Sequence, residues 1–187
     1  MTELWKRLRY VLSPQFDIYE CIAKVVRGAV ADVGFGTGFG AMKLTEKADR
    51  VYGFEVDEQA IVFAQRTFPS TKLIFKYGDI ERGIDGKFNF VVMIDVIEHI
   101  SRDKLAIENA KKMLVPKGIL ICSTPNRLSR YRKSKGHTRE YSLAEFQNLL
   151  KEVFPAVDVR NYNLGKNATQ YDNPLVAVCP NFKKGGE

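Results

Sequence analysis

Val30-Ala31-Asp32-Val33-Gly34-Phe35-Gly36-Thr37-Gly38-Phe39-Gly40 passes from a short apolar run, with one acid near its end, into alternating glycines and then helix-forming sequence. Glycine lacks a Cβ, so each one lets the backbone turn sharply or approach a ligand closely. A glycine loop at the end of a parallel strand is where nucleotide-like cofactors sit in doubly wound sheets. Two registers fit the spacing. Gly36, Gly38 and Ala41 can be set as the G-x-G-x-x-A of a dinucleotide site. The other register starts at the acid, as Asp32-x-Gly34-x-Gly36-x-Gly38. Glycine-rich turns also occur as plain punctuation, so residues further along must decide.

Working outward, apolar periodicity predicts a helix over 3–12, with Leu4, Trp5, Leu8, Val11 and Leu12 on one face. Ser13-Pro14 ends it, because the residue before proline is pushed from helical geometry. A second helix over 16–27 carries Ile18, Ile22, Val25 and Val26 and leads into strand one at 29–33. After the loop come a helix near 39–47, a strand at 51–55 and a helix at 58–67 with Asp57 as N-cap. A third strand follows at 72–76. Phe88 to Ile94 (FNFVVMI) is almost continuously apolar, as suits a strand buried on both faces of a parallel sheet. A helix at 102–114, a strand at 118–123, a helix at 143–152 opened by a Ser142/Glu145 capping box, and strands near 156–163 and 174–179 complete the pattern. Strands alternating with helices predict a three-layer αβα sandwich, Rossmann-like, with a mainly parallel sheet.

A length of 187 residues suits one domain over 1–187, with 1–27 as a helical cap and 126–141 as a basic lid. Hydrophobic content of 45% and charged content of 27% are those of an ordinary globular protein. No apolar run reaches the ~18–20 residues that span a bilayer, and the first residues lack the apolar core of a signal peptide. Cys21, Cys122 and Cys179 are far apart in the sequence, and an odd number cannot all pair. The expectation is a reduced, cytoplasmic protein with no integral membrane association. The net charge of +7 is uneven: Arg127, Arg130, Arg132, Lys133, Lys135 and Arg139 form a run with no acid among them. Such a run points to an anionic partner, either a charged small molecule or RNA through 127–139, or to a solvated loop.

In a doubly wound sheet the ligand lies outside the carboxyl ends of the strands, and each end here delivers suitable chemistry. Strand one supplies Gly34-Phe35-Gly36. Strand two ends in Glu55, an acid able to accept both hydroxyl protons of a ribose. Strand three is followed by Asp79-Ile80, an acceptor for an exocyclic amine beside an apolar cover for a ring. Strand four ends in Ile94-Asp95, where a cationic amino group could be held. The segments DVGFGTG, GFEVDE, YGDI, VVMIDVIEH and KGILICSTPN together resemble, in order and spacing, the class I S-adenosylmethionine (SAM) methyltransferases. The resemblance covers roughly 28–180 and is closest to the small enzymes of the ubiquinone and menaquinone biosynthetic group. It implies a seven-stranded sheet whose last strand enters antiparallel between strands five and six. It also implies SAM as cofactor, S-adenosylhomocysteine (SAH) as product, and a cofactor set of Asp32, Gly34, Phe35, Gly36, Thr37, Gly38, Glu55, Val56, Asp79, Ile80, Ile94 and Asp95. Asn89 departs from the family, where aspartate is common, and bears on packing more than chemistry.

Methyl transfer from a sulfonium is a direct displacement in which alignment does most of the work. A hydroxyl acceptor also needs a base tuned near neutrality. The sequence has two histidines, His99 in Asp95-Val96-Ile97-Glu98-His99 and His137 before Thr138-Arg139-Glu140-Tyr141. The expected catalytic residues are His99 as base, with Glu98 beside it and His137 helping to bind the acceptor; a plain loop-shaping role for Glu98 and His99 stays open. The expected reaction is transfer to a small-molecule acceptor at oxygen, without a metal. Alternatively, Asp95, Glu98, His99 and His137 make a divalent-metal set. That pattern resembles the metal-dependent methyltransferases acting on the 2′-hydroxyl of RNA 3′ ends. A non-catalytic SAM-binding subunit is the third alternative. The acceptor and the oligomeric state are not legible in the sequence.

Overall fold

The computed structural model describes residues 14–129 and 136–182. The helix expected over 3–12 and four cations of the basic run, Arg130, Arg132, Lys133 and Lys135, lie outside the described residues. Within them, seven strands form one sheet: β1 (Ala29–Val33), β2 (Arg50–Glu55), β3 (Leu73–Tyr77), β4 (Phe88–Ile94), β5 (Leu114–Thr124), β6 (Asp158–Arg160) and β7 (Leu175–Pro180). Their order is β3-β2-β1-β4-β5-β7-β6. β1 to β5 pair in parallel, while β7 pairs antiparallel with both β5 and β6. The expected insertion of the last strand between the fifth and sixth is therefore present.

Among the described residues five α-helices flank the sheet: α1 (Pro14–Val25), α2 (Phe39–Leu44), α3 (Glu58–Thr67), α4 (Asp103–Lys112) and α5 (Leu143–Lys151). Side chains alternate across each strand, so two apolar cores form. Val30, Val51, Phe75, Val92 and Ile94 meet Ile18 and Ile22 of α1, Ala41 and Leu44 of α2, and Ile61 and Ala64 of α3. On the other face Ala31, Val33, Val91, Met93, Leu120 and Cys122 meet Ile107 of α4 and Phe146 and Leu150 of α5. The three layers follow directly. Ile18, Ile22 and Val26 are buried as expected, but Val25 points outward and is 55% exposed.

Local chemistry sets the element ends. The Asp57 carboxylate accepts from Gln59 N–H at the start of α3. Ser142 and Glu145 form the predicted capping box at α5, a motif that stabilises a helix start by roughly 1 kcal/mol. β5 begins earlier than expected because Leu114 pairs with Phe88 before the register jumps to Ile119 opposite Phe90; Lys117 turns through φ 65° in the bulge between. Asn89 does act in packing: its Oδ1 accepts from Ala29 N–H at 2.9 Å and lies where a Cβ on Gly28 would fall.

Candidate functional site

The strand order reverses between β1 and β4, and this switch point opens the ligand crevice of an open α/β sheet. The glycine loop leaves β1 here. Gly34, at φ 72°, donates its N–H to Phe54 O at 2.7 Å and sits so close to Val96 that a Cβ would fall 2.5 Å from it. Gly36 donates to Glu55 Oε2 at 3.0 Å, while Oε1 accepts from Val56 and Asp57 N–H groups. The carboxylate at the end of β2 thus ties the loop to its neighbouring strand.

Two cavities of about 400 Å³ each flank this loop. One is lined by Glu55, Val56, Asp79 and Ile80, the residues expected around ribose and adenine. The other is lined by Phe35, Gly36, Thr37, Ile94, His99 and His137. Gly34, Asp95 and His99 belong to both, so the two spaces meet beside the β1 loop. A larger space of about 600 Å³ lies under the 78–87 loop against Tyr52 and Phe88, and shares with this site only Gly78 and Asp79.

Two expected cofactor residues line neither cavity. Gly38 turns through φ 85° under the loop, where a Cβ would fall 2.9 Å from both Ala64 and Phe75, so it serves loop packing. Asp32 alternates onto the α1 side of β1 and is fully buried; its Oδ1 accepts from Tyr19 of α1 at 2.8 Å. Its Oδ2 has no hydrogen-bond partner among the described residues. Burial pushes the Asp32 carboxyl up to about 7, with the Tyr19 hydrogen bond opposing and Glu55 adding to the rise.

Asp95 is expected near a cationic amino group, and as a metal ligand only in the alternative reading. It takes φ 53°; its Oδ1 accepts from Ser123 Oγ at 2.7 Å and its Oδ2 from Gln15 of α1. Both oxygens are thereby engaged, and Asp95 falls outside the metal-capable group. Asp79 accepts from Glu81 N–H and pairs with Arg82.

Past β4 the chain makes a single 3-10 turn, Ile97–His99, rather than the α-helical turn that would align Asp95, Glu98 and His99. Glu98 points inward, is fully buried, and accepts from Thr124 Oγ1 at 3.2 Å through Oε2; Oε1 has no partner among the described residues. Desolvation and Asp95 push its carboxyl up to about 8. Its carbonyl accepts from Thr138 and Arg139 N–H groups, which brings the far end of the basic segment to the site. His99 is exposed, and its Nδ1 lies 2.9 Å from Gly136 O. A carbonyl only accepts, so Nδ1 carries the proton, and in the neutral ring Nε2 keeps a lone pair. His137 Nδ1 lies 3.0 Å from Glu140 Oε1. Ligand atoms of Glu98, His99 and His137 all fall within 4.8 Å of one another, a group able to hold a metal ion.

Several lining residues carried no legible sign in the sequence. Gln15 and Tyr19 reach the second cavity from α1, one turn apart; only the burial of that helix reveals their direction. Pro125, Asn173 and Pro174 close its far wall. Asn126, only 3% exposed, holds that wall: its Nδ2 donates to Gln170 O and Asp172 O, and its backbone N–H donates to Asn173 Oδ1. Among the described residues no helix is long and apolar enough to cross a membrane.

Comparison with known proteins agrees with this geometry. A family profile described as a methyltransferase domain matches residues 31–122. A probable S-adenosylmethionine-dependent methyltransferase of Mycolicibacterium smegmatis is 30% identical over 145 residues, 72% of this chain and 54% of that protein. A ubiquinone biosynthesis O-methyltransferase of Rickettsia bellii is 30% identical over 124 residues, 65% of this chain and 50% of that protein. The chain thus spans about half the length of these curated relatives. Among solved structures, a TehB-like SAM-dependent methyltransferase of Corynebacterium glutamicum superposes with a TM-score of 0.72 at 21% identity, covering 95% of this chain and 94% of that one. The seven-strand order, the acid-first glycine register and these relatives agree: the chain carries a methyltransferase domain over 31–122, on the fold of the SAM-dependent methyltransferases.

Proposed function

We propose that this chain binds SAM across the two joined cavities and transfers the methyl group to an oxygen of a small-molecule acceptor. Glu55 would take the ribose hydroxyls, Asp79 and Ile80 the adenine, and Gly34, Phe35, Gly36, Thr37 and Ile94 the methionine end. The sulfonium would then lie where the cavities meet, beside His99. The observation that carries the reading is the hydrogen bond from His99 Nδ1 to Gly136 O, which leaves Nε2 as a base at that junction. Alignment of nucleophile, methyl and sulfur supplies most of the acceleration, and the base removes the hydroxyl proton as the C–O bond forms.

Arg127 pairs with Glu145 and Arg139 with Asp103. These two cations of the basic run are already neutralised, which favours a small acceptor over an RNA backbone. The test is transfer from tritiated SAM to pools of quinol precursors, other small hydroxyl compounds, lipids and RNA. Turnover on a small hydroxyl compound, lost in His99→Ala with SAM affinity retained, supports the reading. SAM binding with no turnover on any pool supports a non-catalytic subunit instead.

A second reading is favoured by the buried, unpartnered Oε1 of Glu98 beside His99 and His137. A divalent cation held there by one carboxylate and two imidazoles would bind the acceptor hydroxyl directly and lower its proton affinity. Turnover that requires added manganese or magnesium and stops with a chelator selects this reading. RNA ends are the acceptor of interest in that case, and inert RNA ends that option.

A further inference from the structure

The crossovers from β1 to β2, from β2 to β3 and from β4 to β5 carry α2, α3 and α4, whereas residues 78–87 run from β3 to β4 with no helix. A parallel sheet is ordinarily covered by such helices. Tyr52 and Phe54 of β2 and Phe88 of β4 lie on the α4 side of the sheet, and here the 78–87 loop takes the helix's place. The loop is pinned: Gly78 N–H donates to Glu55 O at 3.0 Å, Asn109 Nδ2 of α4 to Ile80 O at 2.8 Å, and Phe88 N–H to Met113 O at 2.8 Å. Beneath it lies the space of about 600 Å³.

Its floor is aromatic. Tyr52 and Phe54 each meet Phe88 edge to face, with ring centroids 5.5 Å and 6.0 Å apart. Its rim is charged, with Lys76, Arg82 and Lys87 beside Asp79 and Asp85. Arg82 pairs with Asp79 at 3.2 Å, so these two offset each other. Lys87 Nζ donates to Lys112 O at 2.6 Å, and a neutral carbonyl leaves its charge uncompensated. Lys76 Nζ stands over the Tyr52 ring, 5.9 Å from its centroid. Among the described residues neither lysine forms an ion pair. Two lysines against one remaining carboxylate, Asp85, leave the rim cationic. A flat ring gains by packing on aromatic side chains, and an anionic group gains from charged donors; a concave space with both is the usual form of a small-molecule site.

We propose that the space under the 78–87 loop is a second ligand site, for a small planar aromatic anion whose ring lies against Tyr52 and Phe88 and whose charge is held by Lys76 and Lys87. The site shares no lining residue with the cavity of His99 and His137, and only Gly78 and Asp79 with the cavity of Glu55 and Ile80. Its ligand is therefore distinct from the methyl acceptor, and the cationic rim disfavours a cationic molecule such as SAM. Binding there does not depend on the SAM site proposed above.

The test is titration of the full chain with 2-naphthoate, followed by amide NMR, beside the uncharged 2-naphthylmethanol and the non-aromatic cyclohexanecarboxylate. Shifts are expected at the amides of Lys76, Gly83, Gly86 and Lys87, with naphthoate binding about tenfold more tightly than either control. Lys76→Gln is expected to weaken naphthoate by about threefold to fivefold and to leave naphthylmethanol unchanged. Tyr52→Leu is expected to weaken both aromatic probes. If Tyr52→Leu does not fold, Lys76→Gln decides, because that side chain is exposed. Absence of shifts with millimolar naphthoate overturns the inference, as does equal affinity for the charged and uncharged probes. Naphthoate affinity unchanged in Lys76→Gln overturns it too. Shifts confined to Val56, Ile80 and His99, or displacement by SAH in proportion to its occupancy, put the probe in the cofactor cavity and also overturn it. SAH that fails to bind overturns the cofactor site instead and leaves the naphthoate result standing.

Discussion

The rings of His99 and His137 meet edge to face, their centroids 5.0 Å apart and their planes at 76°. Each Nδ1 is held by an oxygen acceptor, Gly136 O for His99 and Glu140 Oε1 for His137. In the neutral rings each Nε2 is left with its lone pair; Glu98 offers a ligand atom within 4.8 Å of theirs, and its Oε1 has no partner among the described residues.

On the second, metal-holding reading, that arrangement predicts metal-dependent stability. Zinc or manganese at a hundredfold excess over its dissociation constant is expected to stabilise the ligand-free protein by about 2.7 kcal/mol, and His137→Ala to abolish the effect. Thermal denaturation with and without chelator measures it. Identical midpoints in all conditions would exclude an ion at these three residues.

The glycines of the loop are expected to differ in what they tolerate. At Gly38 a Cβ meets Ala64 and Phe75 at 2.9 Å and the backbone is at φ 85°, so Gly38→Ala combines left-handed strain with overpacking. The cost is about 2–4 kcal/mol. At Gly36 the added Cβ meets nothing within 4 Å, leaving only the backbone term at φ 56°, about 1–2 kcal/mol. Urea denaturation of both variants measures the difference; equal losses would contradict it.

Asn126→Ala leaves the carbonyls of Gln170 and Asp172, and the N–H of Leu128, without their side-chain partner. Unpaired groups of this kind cost about 1–3 kcal/mol. Because these bonds hold the wall containing Asn173 and Pro174, the acceptor KM is expected to rise severalfold while SAM affinity stays within about twofold of the parent. A SAM affinity that falls as far as acceptor binding would show that Asn126 does not act through that wall.

Asp32 makes stability depend on pH in the ligand-free protein. Its carboxyl is raised from 3.8 to about 7, so between those values the folded state keeps a proton the unfolded chain has released. Stability therefore falls as pH rises through that window, by at most about 1.4 kcal/mol per pH unit from this group. Asp32→Asn cannot ionise, so its stability relative to the parent is expected to improve from pH 4.5 to pH 7.5. Denaturation curves at the two pH values test this; a constant difference would place the proton elsewhere.

Much of the molecule is legible from local pattern. α3 and β4 fall at 58–67 and 88–94 as read from the sequence, because an N-cap acid and an uninterrupted apolar run are local signals. The start of β5 is not, since its first residue is set by pairing across to Phe88 rather than by its own sequence. Glu55 and Ile80 reach the expected crevice because Glu55 ends β2 and Ile80 lies three residues past the end of β3, so strand position fixes their place. Asp95 ends its strand just as visibly, yet its carboxylate is taken by Gln15 and Ser123, residues 80 and 28 positions away.

The sequence by itself determined the αβα architecture, the acid-first glycine register and the acids at the strand ends, because period, glycine spacing and chain order are properties of contiguous residues. Only the tertiary structure decided how each of those acids is buried, partnered or set against a cavity. Burial turned Asp32 inward against Tyr19, long-range partners occupied Asp95, and the 3-10 turn after β4 brought Glu98, His99 and His137 together without it. Those outcomes depend on what packs against each side chain from distant elements, and no local pattern encodes that.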